Sequence, residues 1–180
     1  MLDAPAWALA LLRDARVGRL ATADATGQPL VVPVCYVFDG ARCYSAVDAK
    51  PKRTRELRRL KNIAANPHVS LVVDVWDEDW SKLCWVIVEG RAEVLTTGAA
   101  FTRAIDQLVA KYPQYRAMGL DRAEGAVIAL TPARVLAWRP ADSPGGTSSV
   151  CPPRALAEPR SRADRCPTDR GRCIRICSLL

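Results

Sequence analysis

One histidine, His68, occurs in 180 residues, and that scarcity removes a large class of chemistry before any fold is considered. No Ser/His/Asp or Cys/His arrangement can be assembled except through it. His68 directly follows Asn66-Pro67, a helix stop, where capping or lining a turn is the plainer role. The chain has no G-x-G-x-x-G, no Walker A loop and no H-E-x-x-H, so hydrolases built on a histidine base and mononuclear metalloenzymes are poor readings. Long apolar runs are also missing. None approaches the ~18 uncharged residues that a spanning helix requires, and the N-terminus lacks the charged start and apolar core of a secretory signal. The expected setting is cytoplasmic, with no membrane partner.

Cysteine and charge are present but lopsided. Four of seven Cys (Cys151, Cys166, Cys173, Cys177) fall in the last thirty residues without a C-x-x-C pair or a nearby histidine, which argues against a metal site. Cys35, Cys43 and Cys84 sit in apolar, strand-like surroundings where a free thiol acts as a small hydrophobe. The formal charge of +7 is similarly skewed: residues 151–180 carry seven Arg against three acids, leaving +3 for residues 1–150. The high pI is partly a property of the tail. With no aromatic interleaving and no recognition motif, nucleic acid is an unlikely partner.

A chain of this length, half of it apolar, supports one domain with one proper core. Ala8, Leu11, Leu12 and Ala15 fall at helical spacing, with Trp7 one turn before Leu11, and predict a short helix over residues 5–14 acting as a lid on a barrel end. Residues 17–22 and 30–38 flank Thr26-Gly27, and Asp39-Gly40 separates the second run from residues 42–47; these are hairpin signals. Pro33 marks an edge, a bulge or a corner, because it cannot donate to a ladder. A helix is expected at about 52–65 with Leu57, Leu60, Ile63 and Ala64 as its apolar stripe. Strands follow at 69–76 and 83–95, joined by the acidic aromatic loop 77–80. A helix at 99–112 and a last strand at 126–138, interrupted by Pro132, complete the pattern. Beyond Pro140 the composition becomes that of a linker and then an Arg/Pro/Cys-rich segment without periodicity. Residues 1–140 are therefore read as the folded domain and 141–180 as a largely disordered tail.

The densest chemistry lies between Cys43 and Lys61, where a strand-like segment runs into Lys50-Pro51-Lys52-Arg53-Thr54 at the start of a helix. Unpaired N–H groups at a helix start favour an anion, and Lys or Arg beside them adds charge-assisted hydrogen bonds. A phosphorylated ligand is the sharp reading; a solvated basic helix face is the bland one. A phosphate site with few catalytic side chains suits a flavin-type cofactor, which brings its own reactive centre and asks the protein for position and shielding.

Four motifs carry a resemblance. They are residues 15–22 (Ala-Arg-Val-Gly-Arg-Leu-Ala-Thr), residues 29–35 (Pro-Leu-Val-Val-Pro-Val-Cys), residues 44–54 (Tyr-Ser-Ala-Val-Asp-Ala-Lys-Pro-Lys-Arg-Thr) and residues 62–67 (Asn-Ile-Ala-Ala-Asn-Pro). In this order they resemble the split-barrel flavin and deazaflavin oxidoreductases related to pyridoxamine 5'-phosphate oxidase (the PPOX class). The group of coenzyme F420-dependent enzymes is similar also at residues 77–81 and 111–115.

The resemblance implies a mainly β fold with helices, a six-stranded split β-barrel that binds FMN or a deazaflavin, and a homodimer with cofactor grooves between subunits. By position, Lys50, Lys52, Arg53 and Thr54 would meet the phosphate and acidic tail. Ser45, Val47 and Asp48 would line the strand edge beneath the ring, and Val32, Pro33 and Val34 would lie beside it. Trp80 and Trp85 would wall the groove, either from the same subunit or from the partner. Coenzyme F420 leads over FMN, because its longer acidic tail matches the cations Lys50, Lys52, Arg53, Arg55, Arg58 and Arg59. The expected activity is hydride transfer between the deazaflavin and an unknown small organic acceptor. An FMN-dependent oxidase or reductase, or a non-catalytic carrier of the cofactor, is the alternative. No catalytic side chain is evident; solvent, or Tyr36, Tyr44 or Tyr112, would supply a proton.

Overall fold

The structure is a computed structural model, and it describes residues 2–47, 57–120 and 125–140. The expected tail, 141–180, lies outside these residues. Among the described residues the chain runs α1 (Ala6–Asp14), β1 (Val17–Ala23), β2 (Pro29–Cys35), β3 (Val37–Phe38), β4 (Cys43–Val47), α2 (Arg58–Ala65), β5 (His68–Val75), a 3₁₀ turn (Trp80–Lys82), β6 (Cys84–Leu95), α3 (Gly98–Lys111), α4 (Gln114–Ala117) and β7 (Ala126–Trp138).

All strands join one antiparallel sheet in the order β2-β1-β5-β6-β7-β4-β3. β2 and β3 stand at opposite ends of that order, yet only Tyr36 separates them in sequence. Consecutive Cα atoms are about 3.8 Å apart, so the two edges must come together and the sheet must curl. The count is seven strands rather than the expected six. The run from Leu30 to Phe38 reads as one strand, but it breaks at Tyr36 and pairs with β1 before the break and with β4 after it.

Local chemistry explains the remaining turns. Asp24 Oδ1 accepts from the Thr26 N–H, the Thr26 hydroxyl and the Gln28 N–H, with Gly27 at φ 87° closing the β1–β2 hairpin. Asp39 does the same for Ala41 and Arg42 ahead of β4. Pro33 lies on the edge strand β2. Pro132 marks a bulge, since Glu89 faces Arg134 while Gly90 faces Pro132, which leaves Ala133 without an opposite number.

Two cores result. Leu20, Val34, Tyr36, Leu71, Val86 and Ile128 belong to the barrel core, and Ala8 and Leu12 of α1, both fully buried, close it as a lid. Burying Leu12 alone stabilises by roughly 1.5–3 kcal/mol. α3 builds the second core on the outside of β3, β4 and β7 with Phe101, Ile105 and Leu108. β4 is therefore covered on both faces: Cys43 joins the barrel core while Tyr44 and Ala46 pack in the α3 core. The expected helix stripe in α2 holds for Ile63, but Ala64 is exposed and Asn62 is buried in its place. No helix among the described residues is long and apolar enough to cross a membrane.

Candidate functional site

β2 pairs only with β1, and β4 pairs with β3 only at Cys43 and Tyr44. The side of β2 away from β1, and the side of β4 away from β7 over residues 45–47, thus have no strand partner among the described residues. These two free edges approach each other. Backbone N–H and C=O groups demand partners, so the gap offers donors and acceptors in a fixed row. Val34 and Ser45, one from each side, line the same small interior cavity of about 10 Å³ together with Leu20 and Leu71. Both are buried.

The expected site residues separate into three groups. Val32, Pro33 and Val34 on β2 and Ser45 and Val47 on β4 border the gap, Val32 half-buried and Pro33 outward. Asp48, Lys50, Lys52, Arg53 and Thr54 lie outside the described residues. Trp80 is 69% exposed on its 3₁₀ turn. Trp85 is the second residue of β6, with β1 and β5 standing between that strand and β2, and it stacks on Trp138 at 6.4 Å. Within one chain Trp85 therefore stands away from β2.

α2 is held against the barrel beside this region. Asn62 Nδ2 donates to the buried Thr22 hydroxyl at 3.0 Å, and Arg58 lies 3.8 Å from the Asp24 carboxylate. Hydrogen bonds from the Thr26 hydroxyl and the Gln28 amide hold that carboxyl below the usual range. Sequence reading missed Asn62, whose partner is forty residues upstream. His68 is exposed and its Nε2 lies 3.1 Å from an Arg91 nitrogen, so it serves the surface of the β5–β6 ladder.

The tyrosines proposed as proton donors are committed to structure. The Tyr36 hydroxyl donates to the Leu12 carbonyl at 2.7 Å, and burial pushes its pKa far up. The Tyr112 hydroxyl accepts from the Tyr36 N–H at 3.1 Å and lies 2.7 Å from the carbonyls of both Tyr36 and Arg16, between which its single proton is shared. Tyr44 is buried and its pKa is raised, chiefly by desolvation. The Tyr36 and Tyr112 hydroxyls are thus taken up by backbone carbonyls rather than turned to a ligand. Lys111 completes this cluster, donating to the carbonyls of Arg13 at 2.8 Å and Ala15 at 2.6 Å, and burial lowers its pKa.

The gap fits the ring system of a flavin-type group in one respect that the described residues show: a planar heterocycle rimmed by donors and acceptors meets two unpaired strand edges. Comparison with known proteins agrees. Residues 5–139 match the pyridoxamine 5'-phosphate oxidase family. A 5a,11a-dehydrotetracycline/5a,11a-dehydrooxytetracycline reductase of Streptomyces rimosus subsp. rimosus is 32% identical over 106 residues, 57% of this chain and 73% of that protein. An FAD-binding protein from Mesorhizobium loti shares the fold at TM-score 0.55 and 26% identity, covering 71% of this chain and 87% of that one. A conserved protein from Mycobacterium tuberculosis shares it at TM-score 0.60 and 22% identity, over 82% and 95% of the two chains. With a curled sheet split between β2 and β4, the chain belongs to the pyridoxamine 5'-phosphate oxidase family, within the superfamily of split-barrel, flavin-binding oxidoreductases.

Proposed function

We propose that the protein is an oxidoreductase that holds a flavin-type cofactor along the gap between β2 and β4 and exchanges a hydride with a small organic molecule. The observation that carries this reading is the pair of facing, unpaired strand edges of β2 and β4, which approach each other. When bound, the cofactor supplies the redox chemistry; the chain supplies the edge groups of residues 32–34 and 45–47 and, in this reading, the cations Lys50, Lys52 and Arg53 with Asp48 and Thr54 at the phosphate.

FMN is the favoured cofactor, because the family that matches is that of pyridoxamine 5'-phosphate oxidase. This reverses the order drawn from the sequence. Coenzyme F420 stays as the second reading on one observation: Arg58, at the start of α2, extends the cationic run from Lys50 by more than a single terminal phosphate requires. The likeness to a dehydrotetracycline reductase supports the reducing direction, from cofactor to an electron-poor C=C or C=N bond.

A homodimer belongs to this proposal. Residues opposite one another on neighbouring strands share a face, so Pro33, Arg19, Val72, Ile87 and Leu136 extend across the outer side of the sheet with the stacked Trp85 and Trp138, and Arg19 is ion-paired with Asp74. This face is only partly buried within one chain, and a second copy covers it.

Equilibrium titration with FMN and coenzyme F420 in parallel tests the assignment, with Lys50→Ala/Arg53→Ala as control. Micromolar binding of FMN that the variant loses supports it; preference for F420 promotes the second reading; binding to neither overturns the cofactor site. Tight binding without turnover over a broad panel of acceptors would instead mark a carrier.

A further inference from the structure

Beyond the end of β2 lies an open cleft of about 320 Å³, between the α3–α4 junction and the start of β1. Its walls are the rings of Tyr112 and Tyr115, set edge to face at 5.7 Å and 71°, the thioether of Met118 and the side chain of Val17. Val17 is 48% exposed and Met118 37% exposed, which leaves apolar surface open at the cleft. Two polar residues, Gln114 and Arg16, complete the lining of this apolar frame.

Arg16 is preorganised. Its guanidinium carbon sits 4.9 Å from the Tyr112 ring centroid, and one Nη donates to the Lys111 carbonyl at 3.2 Å. It makes no ion pair with a carboxylate among the described residues, so part of its donor fork is available to an oxyanion. Lys111 cannot take that role, because its ammonium is turned to the carbonyls of Arg13 and Ala15. The cleft therefore joins one directed cation to a flat-sided apolar slot.

Cys35, the last residue of β2, also lines the cleft. It is two residues from Pro33, about 7 Å along the strand. We propose that this cleft binds the hydride acceptor, and that the acceptor is a flat, conjugated molecule of two or three rings bearing an acidic oxygen. The acceptor role rests on the cofactor reading above, in which the ring lies beside residues 32–34. The acidic oxygen lies on Arg16 and the conjugated body on Val17, Tyr115 and Met118, with its far end toward the β2 edge. In the reaction the acceptor's polarised C=C bond takes a hydride from the reduced cofactor, which is thereby oxidised by two electrons. The bond's electron pair moves onto the acceptor's conjugated carbonyl oxygen as an enolate, while Arg16 holds the acidic oxygen and so orients the acceptor. Solvent then supplies one proton to carbon, consistent with the structural commitment of the nearby tyrosines.

The test is fluorescence titration of cofactor-free protein with 2-naphthoate, against the neutral 2-naphthamide. Saturable naphthoate binding at least tenfold tighter than naphthamide, weakened tenfold or more by Arg16→Gln and by the slot-filling Met118→Trp, is the expected result. Met118→Trp leaves the Arg16 bond to Lys111 untouched, so it guards against a folding defect in Arg16→Gln. Absence of saturable binding, or binding that survives either variant, overturns the site. Naphthoate should also perturb the visible spectrum of FMN-loaded protein, and no change there overturns the acceptor role. The first titration contains no cofactor, so its failure leaves the cofactor assignment standing, and failure of FMN and F420 binding is read separately.

Discussion

The Tyr112 hydroxyl holds both the N–H and the carbonyl of Tyr36, the one residue between β2 and β3. At a strand break neither backbone group has a ladder partner, and a side chain from the end of α3 takes their place. Tyr112→Phe leaves a buried N–H and two carbonyls short of a partner, at a cost of about 1–3 kcal/mol. Urea unfolding should show a lower midpoint with an unchanged m value, and an unaltered midpoint would refute the role.

Gly90 faces the β7 bulge so closely that a Cβ would stand 2.1 Å from the Thr131 carbonyl oxygen. Gly90→Ala must push two backbones apart, and a loss of about 3 kcal/mol or failure to fold is expected. Gly27→Ala is the contrast: its φ of 87° strains an L residue, but nothing lies within 4 Å, so only about 1–2 kcal/mol should be lost. Thermal melts of the pair check the order.

Asn62 and Thr22 couple α2 to β1 inside the core. A double-mutant cycle with Asn62→Ala and Thr22→Val should return a coupling of about 0.5–1.5 kcal/mol. Independent effects would remove the bond as the anchor of α2.

Burial pushes the Cys43 thiol from its ordinary 9.0 up to about 12. The unfolded chain then loses its proton above pH 9 while the folded chain keeps it. Stability should accordingly fall as pH rises from about 9 towards 12, through this group. At pH 8, iodoacetamide should leave Cys43 unmodified in the native protein and label it in urea, as peptide mass spectrometry would reveal; native labelling would contradict the burial.

Ile87 lies near the middle of the outer face between Val72 and Leu136. Ile87→Glu places a charge in the proposed dimer contact, and sedimentation should shift from dimer to monomer. A wild-type monomer would refute the interface.

Much of this architecture was readable from local pattern. The last strand, Ala126–Trp138, interrupted at Pro132, and α3, with its apolar residues at helical spacing, match the expected bounds within a residue. Cys43–Val47 shows four consecutive buried residues rather than alternation, the mark of a strand covered on both faces. The break at Tyr36 was not readable: apolar residues continue across it, and what divides the run is a hydroxyl 76 positions away. Asn62 was obscured for the same reason. The β2 and β4 segments were readable as strands, but not that their edges face each other, because sheet order is a long-range property. The Arg16 cleft left no local trace, since its walls come from residues some hundred positions apart.

The single-residue seam at Tyr36 also bears on how the protein avoids its own kind. A flat seven-stranded sheet would present two raw edges on which strands of other molecules could add indefinitely, the route to fibrous aggregates. By drawing both edges from one short stretch of chain, the fold turns each towards the other. An intruding strand would have to enter between them rather than settle along an open flank, so the unpaired groups of both edges are kept out of reach of polymerisation.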